Sequence, residues 1–425
     1  MSENNLLDRD RDFVWHPFTQ MKIETEVLPI VRAKDTSLFT ENGDEYLDLI
    51  SSWWVTIHGH SNEYIAKKIY EQATTLEHVI FAGVTHPKAV EVSERVLNLL
   101  PEKFTKAFFS DNGSTSVEVG IKMALQYWYN KGQKRDRLVA IEGSYHGDTF
   151  GSMSVSARGG FNEPFENHMF DVDFIPFPTK DNFEEVKTSL INSIKDGNTA
   201  AFIFEPLVQG SAGMRMYSEE QLDELMQICK DHNVLCIADE VMTGWARTGK
   251  LFATDYCNNK PDIMALSKGI TGGVMAIGVT VATEEIFEAF LHDEKARAFL
   301  HGHSFTANPM ACAAVCANLD LFEQEATWNN INRIGEQHAQ FIAENDSKYD
   351  HVTFRQKGTI LALEIDEGEG ANYFSSIGKR AFPFFKEKGL LMRPLGNVIY
   401  LNPPYCTTNQ QLDRAYKAII EFLAS

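Results

Sequence analysis

Two apolar segments of the chain end on residues of opposite charge that could act on the same small molecule. Residues 234–238 run into Asp239, and residues 263–266 are followed, after one serine, by Lys268. Short apolar segments separated by helical patterns predict strands of a parallel sheet. Because the carboxyl ends of such strands meet at one edge, we expect the carboxylate and the amine to lie close together. Pyridoxal phosphate chemistry needs this pair of groups.

Each part of pyridoxal phosphate has a candidate partner in the sequence. Lys268 would form the Schiff base with the aldehyde and would then transfer protons as an acid and a base. Asp239 would keep the pyridine nitrogen protonated through a charge-assisted hydrogen bond. Gly113 and Ser114 open a predicted helix, where backbone N–H groups and the helix dipole favour a phosphate. Tyr145 follows another predicted strand and would stack on the ring.

Each of these features also has an ordinary structural explanation. A lone lysine at a strand end is commonly a surface residue, and an acid or a Gly-Ser-Thr turn commonly caps a helix. Glu205 follows the predicted strand 200–204, and we assign it only a supporting role near the ring. The His-Gly-His segments at 58–60 and 301–303 lack the accompanying acid or cysteine spacing of a metal site, so no metal is expected.

The elements that must position these residues follow a regular order. From about residue 60 to residue 310, helical patterns alternate with short β-rich segments. These segments are residues 106–110, 137–141, 200–204, 234–238, 263–266 and 277–282. The alternation predicts an α/β fold whose large, mainly parallel sheet is covered by helices on both faces.

The two ends of the chain have a different pattern and are expected to form a smaller α+β domain. Residues 37–40 and 45–50 flank a Glu-Asn-Gly turn and predict a hairpin. After residue 311 the pattern changes to long helices followed by a few strands, at 351–355, 359–365 and 397–402. We therefore assign residues 59–330 to the large domain, and residues 1–58 and 331–425 to the small one.

Composition excludes several classes of protein. The 425 residues are 44% hydrophobic, and the formal net charge of −20 argues against nucleic acid or an anionic membrane as the main partner. The N-terminal segment is charged and has no apolar core, and apolar residues nowhere continue for the roughly 18 positions of a membrane span. The six cysteines form no disulfide-like framework. We expect a cytoplasmic protein.

Three segments in combination resemble the class III aminotransferases, which are fold-type I pyridoxal phosphate enzymes. They are residues 239–249, 266–273 and 305–309, and the resemblance extends over nearly the whole chain. It implies a large sheet of the seven-stranded type and a small domain built from both termini. It also implies a homodimer with shared active sites, in which Ser304 reaches the phosphate of the neighbouring subunit's cofactor.

Six further segments are similar to those of a narrower group within this family. Members of that group convert 8-amino-7-oxononanoate to 7,8-diaminononanoate in biotin synthesis and take the amino group from S-adenosylmethionine. The segments are residues 15–21, 51–54, 123–128, 145–150, 208–216 and 393–400. The resemblance implies the same small-molecule substrates for this chain.

For that activity the resemblance implies a set of substrate-binding residues. The set comprises Phe18, Trp53, Trp54, Tyr145, Arg247, Gly302, Arg393 and Tyr400. Arg393 suits the carboxylate of the oxononanoate, because a guanidinium can bind it through two parallel hydrogen bonds. Trp53 and Trp54 offer flat apolar surfaces for the substrate chain or an adenine ring, although core packing would also explain them.

Three positions depart from the commoner pattern of this group. Phe18 replaces a tyrosine, residues 303–304 replace a Pro-Thr pair, and residues 245–246 replace a Phe-Gly pair. Relatives that use lysine as donor share features of the first two changes, so a lysine-dependent reaction is one alternative. A second is a class III aminotransferase acting on an ω-amino acid or a diamine. The presence of Lys268 with Asp239 disfavours a third, a catalytically silent binding protein.

Overall fold

A computed structural model of the chain describes residues 5–23, 27–366, 368 and 375–425. Residues 1–4, which begin the charged N-terminal segment, lie outside the described residues. The strands are β1 Ile30–Lys34, β2 Ser37–Thr40, β3 Glu45–Asp48, β4 Phe104–Ser110, β5 Arg137–Ile141, β6 Asp173–Ile175, β7 Thr199–Phe204, β8 Val208–Gln209, β9 Arg215–Met216, β10 Leu235–Asp239, β11 Ile263–Leu266, β12 Gly278–Thr283, β13 Val352–Lys357, β14 Ile360–Ile365, β15 Leu390–Leu391 and β16 Val398–Leu401. The helices are α1 Leu6–Phe13, α2 Ser51–Trp54, α3 Glu63–Ala73, α4 Pro87–Asn98, α5 Gly113–Asn130, α6 Phe150–Ser154, α7 Phe183–Ile194, α8 Glu219–Asp231, α9 Glu284–Glu288, α10 Pro309–Phe322, α11 Glu325–Asn345, α12 Ser376–Glu387 and α13 Asn409–Leu423.

The large sheet has seven strands in the order β4-β12-β11-β10-β7-β5-β6. All neighbouring pairs from β11 to β6 are parallel, whereas β12 runs antiparallel to both of its neighbours. The predicted α/β class with a mainly parallel sheet is confirmed. Five of the six predicted strands point the same way along the sheet, and the sixth, β12, is the reversed one. Sequence patterns did not reveal β6, which is only three residues long.

The residues of the central strands face two separate hydrophobic cores. In β7, Phe202 and Phe204 belong to one buried cluster, while Ala201 and Ile203 belong to another. Alternation along a strand places successive side chains on opposite faces, so the sheet is buried on both sides. Helix α5 covers the second face, where the absence of a side chain at Gly120 lets it pack closely on the sheet.

A smaller sheet joins the two ends of the chain. Its order is β1-β2-β3-β15, and Leu47 of β3 pairs with Leu390 of β15 in parallel. A three-stranded sheet, β13-β14-β16, lies in the same part of the sequence as β15. Leu47, Phe385 and Phe422 belong to a third hydrophobic core, which these elements share. The proposed domain boundaries after residues 58 and 330 stay a prediction.

The helices in the described part of the chain are short or polar compared with a membrane span. The longest of them is α11, with 21 residues. Neither it nor any other helix in the described ranges is both long enough and apolar enough to cross a membrane.

Candidate active site

The carboxyl ends of neighbouring parallel strands place several predicted site residues at one edge of the large sheet. Asp239 ends β10 and lies opposite Ala265 of β11, and Lys268 follows shortly after β11. Glu205 directly follows β7, and Tyr145 lies in the loop after β5. The carboxylates of Asp239 and Glu205 both act to raise the pKa of the Lys268 amine. We call Lys268, Asp239, Glu205, Tyr145 and His146 the strand-end cluster.

Asp239 is held from two sides within this cluster. Its Oδ2 lies 2.7 Å from Nδ1 of His146, and its Oδ1 accepts a hydrogen bond of 3.1 Å from the backbone N–H of Val241. Both side chains of the Asp239–His146 pair are buried. Sequence reasoning singled out Tyr145 but missed His146, the next residue in the loop. Only the fold reveals that this loop reaches the end of β10.

Glu205 connects two loops through backbone hydrogen bonds. Its two carboxylate oxygens accept the N–H groups of Tyr145 and Gly210, each at 2.9 Å. Burial raises the pKa of Glu205 to about 7. His146 and the two N–H donors lower this pKa, but their effect is smaller than that of burial. The carboxyl group thus fixes the Tyr145 loop over the sheet edge, in keeping with the supporting role assigned to it from the sequence.

Lys268 begins a short 3-10 helix and has an unusual backbone conformation. Its φ of 45° lies in the left-handed region, which costs energy for a residue with a side chain. The amine lies 4.6 Å from the centre of the Trp54 ring. Burial lowers the pKa of this amine, and the opposing effects of Asp239 and Glu205 are smaller. A larger neutral fraction makes the amine a better nucleophile and base than an exposed lysine.

The start of helix α5 contains Gly113 and Ser114, for which phosphate binding stays a prediction. Asn112 caps the helix by accepting the Thr115 N–H at 2.9 Å, and the first N–H groups of a helix have no partners within it. A Cβ at Gly113 would lie 2.7 Å from Cγ1 of Val241, so this turn packs against the residues that follow β10. Ser114 Oγ accepts the Asp148 N–H at 3.2 Å, which ties the turn to the Tyr145 loop.

The Tyr145 ring borders a cavity of about 430 Å³ at the sheet edge. Its hydroxyl donates a hydrogen bond of 2.8 Å to Asp148. Burial and the neighbouring carboxylate of Asp148 raise the pKa of Tyr145 above its usual value, so the phenol stays neutral. Asp148, which was not predicted, also lines the cavity and restrains the ring.

The two adjacent tryptophans have different surroundings. Trp54 is buried, and its indole N–H donates to the Tyr400 hydroxyl at 2.9 Å, whereas Trp53 is 43% exposed. Ser52 and Trp54 have φ values of 60° and 65°, and the Asp48 carboxylate accepts the Ser52 N–H at 2.7 Å to hold this strained turn. Trp54 therefore packs beneath the Lys268 amine, while Trp53 faces outward.

Exposed aromatic rings surround the outer side of this turn. The centre of the Phe18 ring lies 5.4 Å from that of Trp53 and 6.0 Å from that of Phe161, and both contacts are edge-to-face. The Arg393 guanidinium lies 5.0 Å from the centre of the Trp53 ring. We call Phe18, Trp53 and Phe161 the aromatic rim. Phe161 was not predicted from the sequence, because its segment matches none of the motifs that identified the other residues.

The remaining predicted residues lie in two further places. Arg247 is buried, and its terminal nitrogens donate to the carbonyl oxygens of Pro403 at 2.8 Å and Trp54 at 3.3 Å. It therefore anchors the tryptophan turn. Gly302 and Ser304 are exposed in the loop before α10, and none of the contacts described above involves them. The role of Ser304 in a neighbouring subunit stays a prediction.

Comparisons with known proteins show which family the chain belongs to. A model of the family described as aminotransferase class-III matches residues 20–423. An adenosylmethionine-8-amino-7-oxononanoate aminotransferase from Synechococcus elongatus is 44% identical over 420 residues, which is 96% of this chain and 98% of the relative. The solved structure of the enzyme of that name from Methanocaldococcus jannaschii has a TM-score of 0.91 and 32% identity, covering 98% of both chains. An amine transaminase from an uncultivated Pseudomonas species, solved in its PLP-bound form, has a TM-score of 0.89 and 26% identity, covering 97% of this chain and 98% of the other.

Proposed function

The chain belongs to the class III aminotransferases and is a pyridoxal-phosphate-dependent enzyme, and on this premise we propose that it converts 8-amino-7-oxononanoate to 7,8-diaminononanoate. In this proposal S-adenosylmethionine donates the amino group, and the reaction serves biotin synthesis. The names of the relatives from Synechococcus elongatus and Methanocaldococcus jannaschii contain both adenosylmethionine and the oxononanoate. Lysine is the alternative donor.

The observation that carries the proposal is the position of one exposed guanidinium beside the aromatic rim. Arg393 lies 5.0 Å from the Trp53 ring, and the rim continues through Phe18 to the cavity beside Tyr145. The acceptor has a carboxylate at one end of an apolar chain and a ketone near the other. A cation beside an apolar wall matches that distribution of groups, with the ketone directed towards Lys268.

The strand-end cluster and the start of α5 together offer polar groups that suit pyridoxal phosphate. A buried carboxylate, an amine of lowered pKa and an open helix start are the groups that such a cofactor uses. When bound, the cofactor supplies an aldehyde for the amino group and a protonated ring that stabilises the electron pair left on the substrate carbon. Asp239 would keep the ring nitrogen protonated, Gly113 and Ser114 would bind the phosphate, and Tyr145 would lie against the ring.

Lys268 moves the protons in this proposal. Its lowered pKa leaves more of the amine neutral, so it can remove the proton from the donor carbon that carries the amino group. In the second half of the cycle the same amine delivers a proton to the former ketone carbon of the acceptor. The Trp54 ring, 4.6 Å from the amine, keeps water away from one side of it.

The proposal also includes a homodimer in the cytoplasm. Leu300 and Phe305 are 68% and 62% exposed, and they flank the loop that contains Gly302 and Ser304. A partner that covered this loop would bury both apolar side chains. A second copy of the chain placed there would bring Ser304 towards its neighbour's cofactor, as the family resemblance implies.

The donor can be identified with the purified enzyme loaded with pyridoxal phosphate. S-adenosylmethionine, lysine and a simple ω-amino acid are offered separately while the visible absorption of the cofactor is recorded. We expect S-adenosylmethionine to bleach the band, and 8-amino-7-oxononanoate to restore it with formation of the diamine.

Other results of this experiment would support one of the alternative functions. Bleaching by lysine alone, with recovery on adding the oxononanoate, would replace the donor but keep the acceptor. A response only to the ω-amino acid would contradict the assignment to biotin synthesis. An enzyme that binds the cofactor and responds to none of the three would be a silent binding protein.

A further inference from the structure

The two histidines of the segment at 58–60 have separate partners in the fold. Nε2 of His58 lies 2.9 Å from Oδ1 of Asn318, and Nε2 of His60 lies 2.7 Å from Oδ2 of Asp48. The Asp48 side chain is completely buried, and that of His60 is 13% exposed. Because an ionised carboxyl group only accepts hydrogen bonds, the imidazole is the donor to Asp48. This pair is therefore a buried, charge-assisted hydrogen bond.

Asp48 uses the same carboxylate to hold the tryptophan turn. Its Oδ1 accepts the Ile50 N–H at 3.0 Å, and its Oδ2 accepts the Ser52 N–H at 2.7 Å. In this turn Ser51, Ser52 and Trp54 have φ values of 50°, 60° and 65°. Residues with side chains are strained in this left-handed region, so such a turn persists only while its surroundings hold it.

His60 connects the carboxylate to a part of the chain outside the turn. Its backbone N–H donates to the Asp35 carbonyl oxygen at 2.6 Å, and its own carbonyl oxygen accepts the Asp35 N–H at 3.0 Å. Asp35 lies between β1 and β2. The imidazole is thus fixed independently of the turn. It restrains rotation of the Asp48 carboxylate, which would otherwise release the Ser52 N–H.

The tryptophan turn places one ring in each of the two functional regions. The Trp54 ring has its centre 4.6 Å from the Lys268 amine. The Trp53 ring contacts Phe18 in the aromatic rim, with 5.4 Å between ring centres, and lies 5.0 Å from the Arg393 guanidinium. The two tryptophans are adjacent in the chain, so a displaced turn moves both rings.

We propose that His60 is a positioning residue for transamination, which acts through Asp48 on the tryptophan turn. In this role it holds both rings of the turn against the groups that they contact. Loss of the imidazole therefore changes proton transfer by Lys268 and binding of the acceptor together. The inference about the acceptor rests on the proposed function, whereas the contact between Trp54 and Lys268 requires only the aminotransferase site.

The first test measures acrylamide quenching of tryptophan fluorescence in the full-length chain before the cofactor is added. His60→Leu removes the donor, and His60→Asn is a second loss variant whose shorter amide does not reach Asp48. Trp54 is 5% exposed, so we expect quenching to rise in both variants as the turn loosens. The rise should persist in a Trp53→Phe background and disappear in a Trp54→Phe background. His60→Gln, whose amide N–H lies close to the position of Nε2, should resemble the wild type.

The second test uses the enzyme loaded with pyridoxal phosphate. In His60→Leu the half-saturating concentration of 8-amino-7-oxononanoate should rise, and turnover in both half-reactions should fall, each by about threefold to tenfold, as for partial loss of a charge-assisted hydrogen bond. His60→Gln should restore most of this loss.

Ile286→Ala is the control for general loss of stability. Ile286 lies on α9, is 2% exposed and belongs to the core that α5 covers, whereas Trp54 belongs to the core on the other face of the large sheet. The cavity left by this substitution should lower the melting temperature. Quenching and the kinetic constants should stay within about twofold of the wild type, because the two sites are independent.

Unchanged quenching in His60→Leu and His60→Asn would overturn the proposal. The same changes in Ile286→Ala, or no recovery in His60→Gln, would also overturn it, because general loosening would then explain the result. So would increased quenching with both half-reactions unchanged. A failure of the proposed function has a different signature: the wild-type enzyme would not respond to S-adenosylmethionine, lysine or the oxononanoate, while quenching in His60→Leu would still rise.

Discussion

The strand-end cluster and the aromatic rim are neighbours joined by the turn that contains Trp53 and Trp54, yet they are held in different ways. In the cluster, Asp239 is bonded to His146 at 2.7 Å, and Glu205 accepts two backbone N–H groups at 2.9 Å. In the rim, the side chains meet through edge-to-face ring contacts, with 5.4 and 6.0 Å between ring centres. The cluster is mostly buried, and the rim is exposed over more than two fifths of each side chain.

This difference follows from what each region has to do. Proton transfer needs atoms fixed to within a fraction of an ångström, and buried polar groups must be hydrogen-bonded, so the cluster is built on the ends of rigid strands. Apolar and cation–π contacts tolerate small displacements, so the rim can be built from loops. Changes in the rim should therefore alter which substrate binds, whereas changes in the cluster should alter the reaction with every substrate.

The largest effect is expected from Lys268→Ala. The substitution removes the group that bonds the cofactor and transfers both protons, so turnover should fall by at least about a thousandfold with any donor. Single-turnover measurement of the cofactor absorbance in both half-reactions would check this. Lys250→Ala is a suitable control, because Lys250 is exposed and its amine donates to the Asp255 carbonyl oxygen and lies over the Tyr256 ring, outside the strand-end cluster. Residual activity that depends on the donor would show that the cluster and the rim are not separate in function.

A smaller effect is expected from His146→Leu, because His146 acts through Asp239. Loss of a hydrogen bond to a charged group costs about 1.5 to 3 kcal/mol, so kcat should fall about tenfold to a hundredfold. The half-saturating concentrations of both substrates should change little, and the absorption band of the bound cofactor should shift as the ring nitrogen loses its partner. His146→Asn, which keeps an N–H donor, should restore part of the activity.

The control for this prediction is His232→Leu. His232 is exposed at the end of α8, where its ring forms a hydrogen bond with the Ile228 carbonyl oxygen. A fall in kcat for His146→Leu without any change in the cofactor spectrum would contradict a positioning role and would indicate general loss of structure.

Much of the cluster could be predicted from the sequence, for a physical reason. An apolar strand that ends on a single acid or lysine is a local pattern, and the parallel sheet brings such ends together. Asp239, Lys268 and Glu205 were placed at one edge by that argument. The same patterns located the strands now numbered β4, β5, β7, β10, β11 and β12 to within two residues at each end.

What sequence patterns missed depends on contacts between distant segments. The bond from His146 to Asp239 joins residues 93 positions apart, and nothing near His146 signals it. The contact between Phe18 and Phe161 likewise joins two loops. Strand β6 has only one fully buried residue, Ile175, so it lacks the apolar pattern of its neighbours. The rim was therefore predicted only where motifs shared with the family pointed to it.

The smallest of these effects is expected from Arg393→Met, which tests the rim at its other end. Methionine keeps the apolar stem but removes the charge-assisted hydrogen bonds proposed for the acceptor carboxylate, so the KM for 8-amino-7-oxononanoate should rise about fivefold to tenfold. Because Arg393 is exposed, added salt should weaken acceptor binding in the wild type and have less effect in the variant. Steady-state kinetics at two salt concentrations, with Arg380→Met as the exposed control on α12, would measure this. If the donor half-reaction slowed by the same factor, the division between a chemical cluster and a substrate-selecting rim would be wrong.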